Sequence, residues 1–247
     1  MVGQKEEIVA RDKGAGGYDL RYIQSKGILF DKVENDATIR ALNLKRSDVV
    51  LDVGCGTGRQ TIKIAKRCKK VYAVDFSPKS IEVLDRKLEE QGIENVETSI
   101  GDLTQPLPIE EKVDKIISVQ VIQHIPSESA RLQTLKIYTS QLKSGGICVV
   151  SVYNYNSPVF RGTPKEGKFP SGIYYNRFTA SELRQMFEKC HFSSISLGAY
   201  INFMWYASLN KSQLYRLFYP IAMLDTFISR FKLSCYLGTY LVVTGIK

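Results

Sequence analysis

The sequence predicts an α/β protein built on a doubly wound sheet. Two observations carry that prediction. Apolar strand-like runs alternate five times with helix-like segments in one register before residue 152, the pattern of parallel strands joined by crossover helices. The first run, Val49-Val50-Leu51-Asp52-Val53, ends in Gly54-Cys55-Gly56-Thr57-Gly58. That turn has almost no side-chain bulk, so its backbone can bend sharply and lie directly against a ligand. In open α/β sheets ligands bind beyond the C-terminal ends of the strands.

Each element follows in order. Residues 1–17 are polar, with Gly14, Gly16 and Gly17, and read as a mobile arm. Tyr22, Leu29, Val33, Ile39 and Leu42 recur at roughly helical spacing, which gives a helix over 18–42. After the glycine turn a helix carries Thr61, Ile62, Ile64 and Ala65 and ends in Lys66, Arg67, Lys69 and Lys70. Cations suit a helix C-terminus, so this cluster needs no nucleic-acid partner. A second strand over 71–74 stops at Asp75, and Ser77-Pro78 opens the next helix as cap and first turn. Strands are expected over 96–100, 113–119 and 147–152, with a helix over 127–142 and a turn at Lys143-Ser144-Gly145-Gly146. Beyond residue 152 a long loop is expected over 155–172. A helix capped by Thr179 with Glu182 follows, then strands over 194–200 and 240–246. The segment between those last two strands is apolar and aromatic.

Composition is that of a globular protein: 44% hydrophobic and 24% charged residues in 247. Five cysteines without C-x-x-C spacing argue for a reducing, cytoplasmic setting and against a zinc site, so no metal is expected. The polar start is not a signal peptide, and no apolar run has the length of a membrane span. The net charge of +9 is uneven. Residues 151–247 hold 11 of the 34 basic but only 4 of the 25 acidic residues, with 20 of the 26 aromatics.

The spacing of the turn bears on its ligand. A dinucleotide loop reads G-x-G-x-x-G, but here the third glycine comes one residue early and Arg59 stands in its place. An arginine there obstructs the close helix approach that a pyrophosphate wants. Asp75, 21 residues after Gly54, is placed to accept from ribose hydroxyls, a feature that NAD shares with other adenosyl ligands. No Gly-Lys-Ser/Thr follows, which excludes a Walker phosphate loop.

Leu51–Gly58, Val74-Asp75-Phe76-Ser77, Gly101-Asp102-Leu103, the Val113-to-Ile125 strand with its turn, and Leu142–Gly146 together resemble the ordered motifs of class I S-adenosylmethionine-dependent methyltransferases of small-molecule type. The resemblance covers roughly residues 45–152, and the 178–192 region is also similar. It implies a Rossmann-like seven-stranded sheet with the last strand antiparallel, and a single domain over 1–247. In that domain 1–44 form an N-terminal arm and cap helix, 45–152 the cofactor core, and 153–247 the substrate side. It also implies roles. Gly54, Cys55, Gly56 and Gly58 would lie along the methionine part of S-adenosylmethionine. Asp75 would hold the ribose, and Phe76, Asp102 and Leu103 the adenine. Val119 would present backbone near the sulfonium. Arg21 is placed to pair with the cofactor carboxylate from the N-terminal helix.

Methyl transfer is an in-line displacement at an activated methyl, for which the enzyme supplies chiefly proximity and alignment. An N or O acceptor can also need a base, and His124, just after the fourth strand, is the candidate. A histidine bonded to backbone is the competing reading. No Asn/Asp-Pro-Pro-Tyr/Phe tetrad and no Pro-Cys motif occur, which argues against adenine or glutamine amino-methylation and against a cysteine adduct on a pyrimidine. What remains is chiefly N- or O-methylation, and the expected acceptor is a small molecule. Candidate substrate contacts are Tyr18, Tyr22, Gln123, Tyr153, Tyr175 and Trp205, with the aromatic segment from Tyr200 to Tyr219 as a lid. Two alternatives stand beside it: a tRNA wobble-uridine side chain, given the basic C-terminal part, and a lipid at a membrane surface, given the apolar run over 214–224.

Overall fold

The structure is a computed structural model that describes residues 2–17, 19–20, 25–201, 219–229 and 231–247. Among these residues the strands are β1 (Val49–Val53), β2 (Lys70–Asp75), β3 (Val96–Ile100), β4 (Val113–Val119), β5 (Leu142–Tyr153), β6 (Glu166–Lys168), β7 (Tyr174–Asn176), β8 (Ser193–Tyr200) and β9 (Tyr240–Ile246). The helices are α1 (Val2–Ala15), α2 (Ser25–Ala41), α3 (Thr61–Ala65), α4 (Pro78–Glu90), α5 (Glu128–Gln141), α6 (Ala180–Lys189) and α7 (Tyr219–Ile228). Seven strands form one sheet in the order β3-β2-β1-β4-β5-β9-β8. β1 to β5 are parallel, and β9 runs antiparallel between β5 and β8. This is the mixed, doubly wound sheet with an antiparallel last strand that the sequence predicts.

The near-continuous apolar runs become strands because helices cover both faces. One face packs Leu51, Val53, Ile116, Val150 and Phe187 into a core. The other packs Val33, Leu42, Val50, Ile64, Ile117 and Val149. Most of these side chains are fully buried, each worth about 1.5–3 kcal/mol against exposure. The expected caps are present. Ser77 accepts from the Ser80 N–H with Pro78 in the first turn, and Thr179 forms a capping box with Glu182. The Lys143–Gly146 turn appears as an irregularity within β5. Pairing steps from Val113↔Leu142 to Lys115↔Ile147, with Gly145 at φ +73°.

Two segments differ from expectation. The polar stretch expected as a mobile arm forms α1, packed against α4. It is held by long-range bonds rather than by an apolar stripe. The loop expected over 155–172 contains β6, which pairs with β7 as a short hairpin. Strands of three residues are too short to show a period in the sequence.

Candidate active site

The glycine turn is fixed to β2, where the Val74 carbonyl accepts from the N–H groups of Gly54 (2.7 Å) and Cys55 (3.2 Å). Gly54, Gly56 and Gly58 have φ of +74°, +53° and +83°. A Cβ on Gly54 would come within 2.3 Å of Val121, and one on Gly58 within 2.2 Å of Leu84. At Gly56 it would meet nothing within 4 Å. Packing thus demands the outer glycines, while the middle one faces open space against which a ligand can lie. The Cys55 side chain turns into the core with Ala73, Ile81 and Leu84, and burial pushes its thiol well up, so only its backbone is available to a ligand.

Asp75 ends β2 and is buried. Its Oδ2 accepts from the Gly56 N–H at 2.8 Å and its Oδ1 from the Ser77 N–H at 2.9 Å. Burial raises its carboxyl above the ordinary range, against the pull of those two N–H groups and the Arg11 charge. Each carboxylate oxygen has a second lone pair, so the group can accept from a vicinal diol. Open space at Gly56 beside such a carboxylate fits the ribose and methionine parts of S-adenosylmethionine. Phe76 is partly buried beside it. Asp102 follows β3, and its Oδ1 accepts from the N–H and hydroxyl of Thr104 at 2.9 and 2.8 Å. Leu103 is buried, and Val119 ends β4 opposite Ser151. Below the turn Asp52 accepts from the Thr61 hydroxyl at 2.6 Å, and burial pushes its carboxyl up to about 7.

The N-terminal segment closes over this cleft. Asp12 accepts from the Ser77 hydroxyl at 2.5 Å and the Lys79 N–H at 3.3 Å. Asp19 accepts from the Thr57 hydroxyl at 2.8 Å and pairs with Lys87. Arg11 lies near enough to both Asp75 and His124 for its charge to act on each. Arg21, Tyr18, Tyr22 and Trp205, with the other lid aromatics over 203–218, lie outside the described residues.

On the acceptor side the structure brings together Gln123, His124, Tyr153 and Tyr175. Gln123 is buried, and its Oε1 accepts from the Tyr153 N–H at 2.7 Å. His124 Nδ1 meets the Tyr174 carbonyl at 2.7 Å, and its Nε2 meets Gln123 Nε2 at 3.3 Å. A carbonyl only accepts, so Nδ1 carries the proton and the Nε2 lone pair takes the amide hydrogen. Burial, then the Arg11 charge, pushes His124 down to about 3. Both nitrogens are therefore engaged in holding β7 and the β4–α5 turn. The Tyr153 ring packs against Phe160, Phe169 and Tyr240 at 5.5–6.3 Å, and Phe169 continues to Tyr175 at 4.7 Å. Cavities of about 540 and 330 Å³ lie nearby, the first lined by Tyr155, Phe160 and Thr163, the second by Arg131, Asn176 and Phe178. Neither reaches the glycine turn, which the N-terminal segment covers.

One constellation was not anticipated from the sequence. Glu34 of α2 is fully buried and accepts from Arg59, Gln120 and the Tyr200 hydroxyl, the last at 2.9 Å. Arg59 also reaches Asp31 at 2.6 Å, so it turns away from the ligand side of the turn. Gln120 follows β4 with φ +58°, and Tyr200 stacks on Tyr240 at 5.2 Å. Tyr200, expected in the lid, is a buried core residue instead. The available signal was Glu34 itself, a charge on the same helical stripe as Phe30, Ala37 and Ala41.

Comparison with known proteins agrees with this geometry. A methyltransferase domain family model matches residues 44–217. A probable cobalt-precorrin-6B C(15)-methyltransferase (decarboxylating) of Methanocaldococcus jannaschii is 34% identical over 148 residues, covering 54% of this chain and 81% of that protein. The chain spans about half the length of further curated relatives of that description. A solved structure described as an S-adenosylmethionine-dependent methyltransferase, possible histamine N-methyltransferase, from Thermotoga maritima superposes with TM-score 0.65 at 17% identity, over 96% of this chain and 98% of that one. The DhpI-SAM-HEP complex superposes with TM-score 0.65 at 14% identity, over 98% and 97%. With its sheet order, its glycine turn and a family match across most of its length, the chain belongs to the methyltransferase domain family and is a class I S-adenosylmethionine-dependent methyltransferase.

Proposed function

We propose that the chain methylates a nitrogen, or an already ionised oxygen, of a small molecule held against the wall of Tyr153, Phe160, Phe169 and Tyr240. The observation that carries this reading is the pairing of that wall with His124. The wall stands at the C-terminal ends of β5 and β4, on the cofactor side of the sheet, and both nitrogens of the one histidine beside it are engaged. An amine attacks with the lone pair it has, so alignment suffices. Aromatic faces also favour a cationic or amphipathic amine by about 0.5–2 kcal/mol.

S-adenosylmethionine supplies the activated methyl group. Toward it, the turn of Gly54, Gly56 and Gly58 takes the methionine part, and Asp75 the ribose diol. Phe76, Asp102 and Leu103 border the adenine, and Val119 offers backbone near the sulfonium. Arg21 remains the cation we assign to the cofactor carboxylate, with Arg11, whose charge acts on Asp75 and His124, beside it. His124 acts as a positioning residue through the Tyr174 carbonyl.

A methyl-transfer screen reading S-adenosylhomocysteine release tests the reading. Amine, hydroxyl and carboxyl acceptors would be compared with tRNA and with a cobalt-precorrin, the acceptor named for the Methanocaldococcus relative. Small amines are expected to turn over. Turnover with tRNA or at a cobalt-precorrin carbon, and none with amine, hydroxyl or carboxyl acceptors, would refute the proposal.

A further inference from the structure

A buried cation beside the acceptor wall has no acidic partner among the described residues. Arg177 follows β7 and is 7% exposed. Its guanidinium lies between two rings, 4.2 Å from the centre of Phe160 and 4.5 Å from that of Tyr175. It donates to the Thr163 hydroxyl at 3.0 Å and to the Pro164 carbonyl, while its buried Nε has no partner. All of these contacts are neutral. The acids nearest along the chain are engaged elsewhere: Glu166 accepts from the Tyr174 hydroxyl, and Glu182 pairs with Lys165 and caps α6. An arginine does not shed its charge, and a buried charge without a counterion is costly. The two rings offset part of that cost. An anion would offset the rest.

The cavity of about 540 Å³ is the place for that anion. Thr163 and Pro164, the two residues that accept from Arg177, both line it. So does Arg161, which is exposed and forms no ion pair among the described residues. No acidic residue lines this cavity. The smaller cavity differs, because Glu128, Glu166 and Glu182 line it beside Arg131. Residues 153–177 as a whole hold Arg161, Lys165, Lys168 and Arg177 against one acid, Glu166. A cleft of one sign with low-dielectric walls concentrates ligands of the other. The Phe160 ring joins this cavity to the acceptor wall. Tyr153 packs on that ring at 5.9 Å and the Arg177 guanidinium at 4.2 Å. An acceptor with its reacting nitrogen at Tyr153 can therefore lay an acidic end in the cavity.

We propose that this cavity binds an oxyanion, a carboxylate or phosphate group, carried by the methyl acceptor. Arg161 meets the oxyanion at the surface, and Arg177 supplies the fixed charge behind Thr163. Guanidinium groups suit both kinds of oxyanion. That the anion belongs to the acceptor rests on the small-molecule reading above, whereas the anion site itself does not.

Thermal unfolding of the full chain in sodium phosphate and in sodium acetate, each against sodium chloride at equal ionic strength, is the test. Saturating S-adenosylhomocysteine is present throughout, which keeps the anions out of the cofactor cleft. The wild type should gain stability saturably in one or both anions, and the better one tells phosphate from carboxylate. Arg177→Gln should raise the half-saturating concentration roughly tenfold or more. Should that variant fail to fold, Arg161→Gln changes only an exposed side chain and should raise it about two- to fivefold. No saturable gain in the wild type, or equal half-saturation in the variants, overturns the proposal. With an acceptor from the methyl-transfer screen, the better anion should inhibit competitively against that acceptor. Inhibition that is not competitive with it would detach the cavity from the acceptor and overturn the assignment. So would turnover of tRNA alone, since the cavity would then serve a nucleic-acid phosphate. Failure of every small acceptor in that screen would leave the thermal gain as it is, so the two readings fail separately.

Discussion

At Asp75 a carboxylate is kept dry while two N–H groups hold it in place. Replacing it with Asn puts a donor where an acceptor is needed. The loss of a charge-assisted hydrogen bond is about 1.5–3 kcal/mol, so cofactor affinity should fall roughly ten- to a hundredfold. The raised pKa gives a second signature. Ribose hydroxyls donate to the ionised form, so affinity should weaken as pH falls through that pKa, and Asp75→Asn should be flat. Calorimetric titration across pH decides it, and parallel curves for the two proteins would sink the assignment. His124 gives the converse expectation. With its pKa pushed down to about 3, kcat should show no limb near the ordinary histidine value of about 6.5. A limb there that vanishes in His124→Asn would restore it as the base. Glu34 is fully buried with three donors on one carboxylate, and breaking such a cluster costs about 3–5 kcal/mol. Glu34→Ala should therefore lower the urea midpoint more than Asp36→Ala does, since Asp36 makes only partly exposed pairs within its own helix.

At the level of elements, α1 is where the N-terminal segment meets the cofactor cleft. Its hold on α4 runs through Asp12, which meets the Ser77 hydroxyl that caps that helix. Asp12→Ala should leave the sheet intact and speed cofactor release several-fold, as read by stopped-flow fluorescence. An unchanged release rate would mean that α1 does not cover bound cofactor. The same helix shows where sequence reading stops. The strands were legible because burial on both faces leaves an apolar run, and the Ser77 and Thr179 caps because they act within three residues. The glycine turn and Asp75 were legible for the same local reason. Nothing local marks α1, whose Arg11, Asp12 and Lys13 stand where an apolar stripe would be, and whose anchor at Ser77 is 65 residues away. The Glu34 cluster joins residues 25, 86 and 166 positions apart, beyond the reach of any spacing argument.

Across the whole molecule, two of the site's buried titratable groups have effects on stability that oppose each other. Asp52 sits under the glycine turn with its pKa pushed up to about 7, against about 3.9 in an unfolded chain. Between those values the folded state binds more protons, so Asp52 makes stability fall as pH rises, by at most about 1.4 kcal/mol per unit, and levels off above about 7. His124 is shifted the other way, from about 6.5 unfolded to about 3 folded. Below 6.5 the unfolded state binds the extra proton, so His124 makes stability fall as pH drops. Over roughly pH 4–6.5 the two slopes oppose each other in the wild type, and the raised carboxyl of Asp75 adds to that of Asp52. Asp52→Asn keeps an acceptor for the Thr61 hydroxyl and removes one slope, so its stability should fall on the acid side relative to wild type. His124→Asn keeps a donor for the Tyr174 carbonyl and removes the other, so its stability should fall as pH rises toward 7. Urea denaturation of the three proteins at several pH values reads both slopes directly. If the variants run parallel to the wild type, these two groups do not set its pH dependence, and the burial that defines the cleft leaves no trace in its stability.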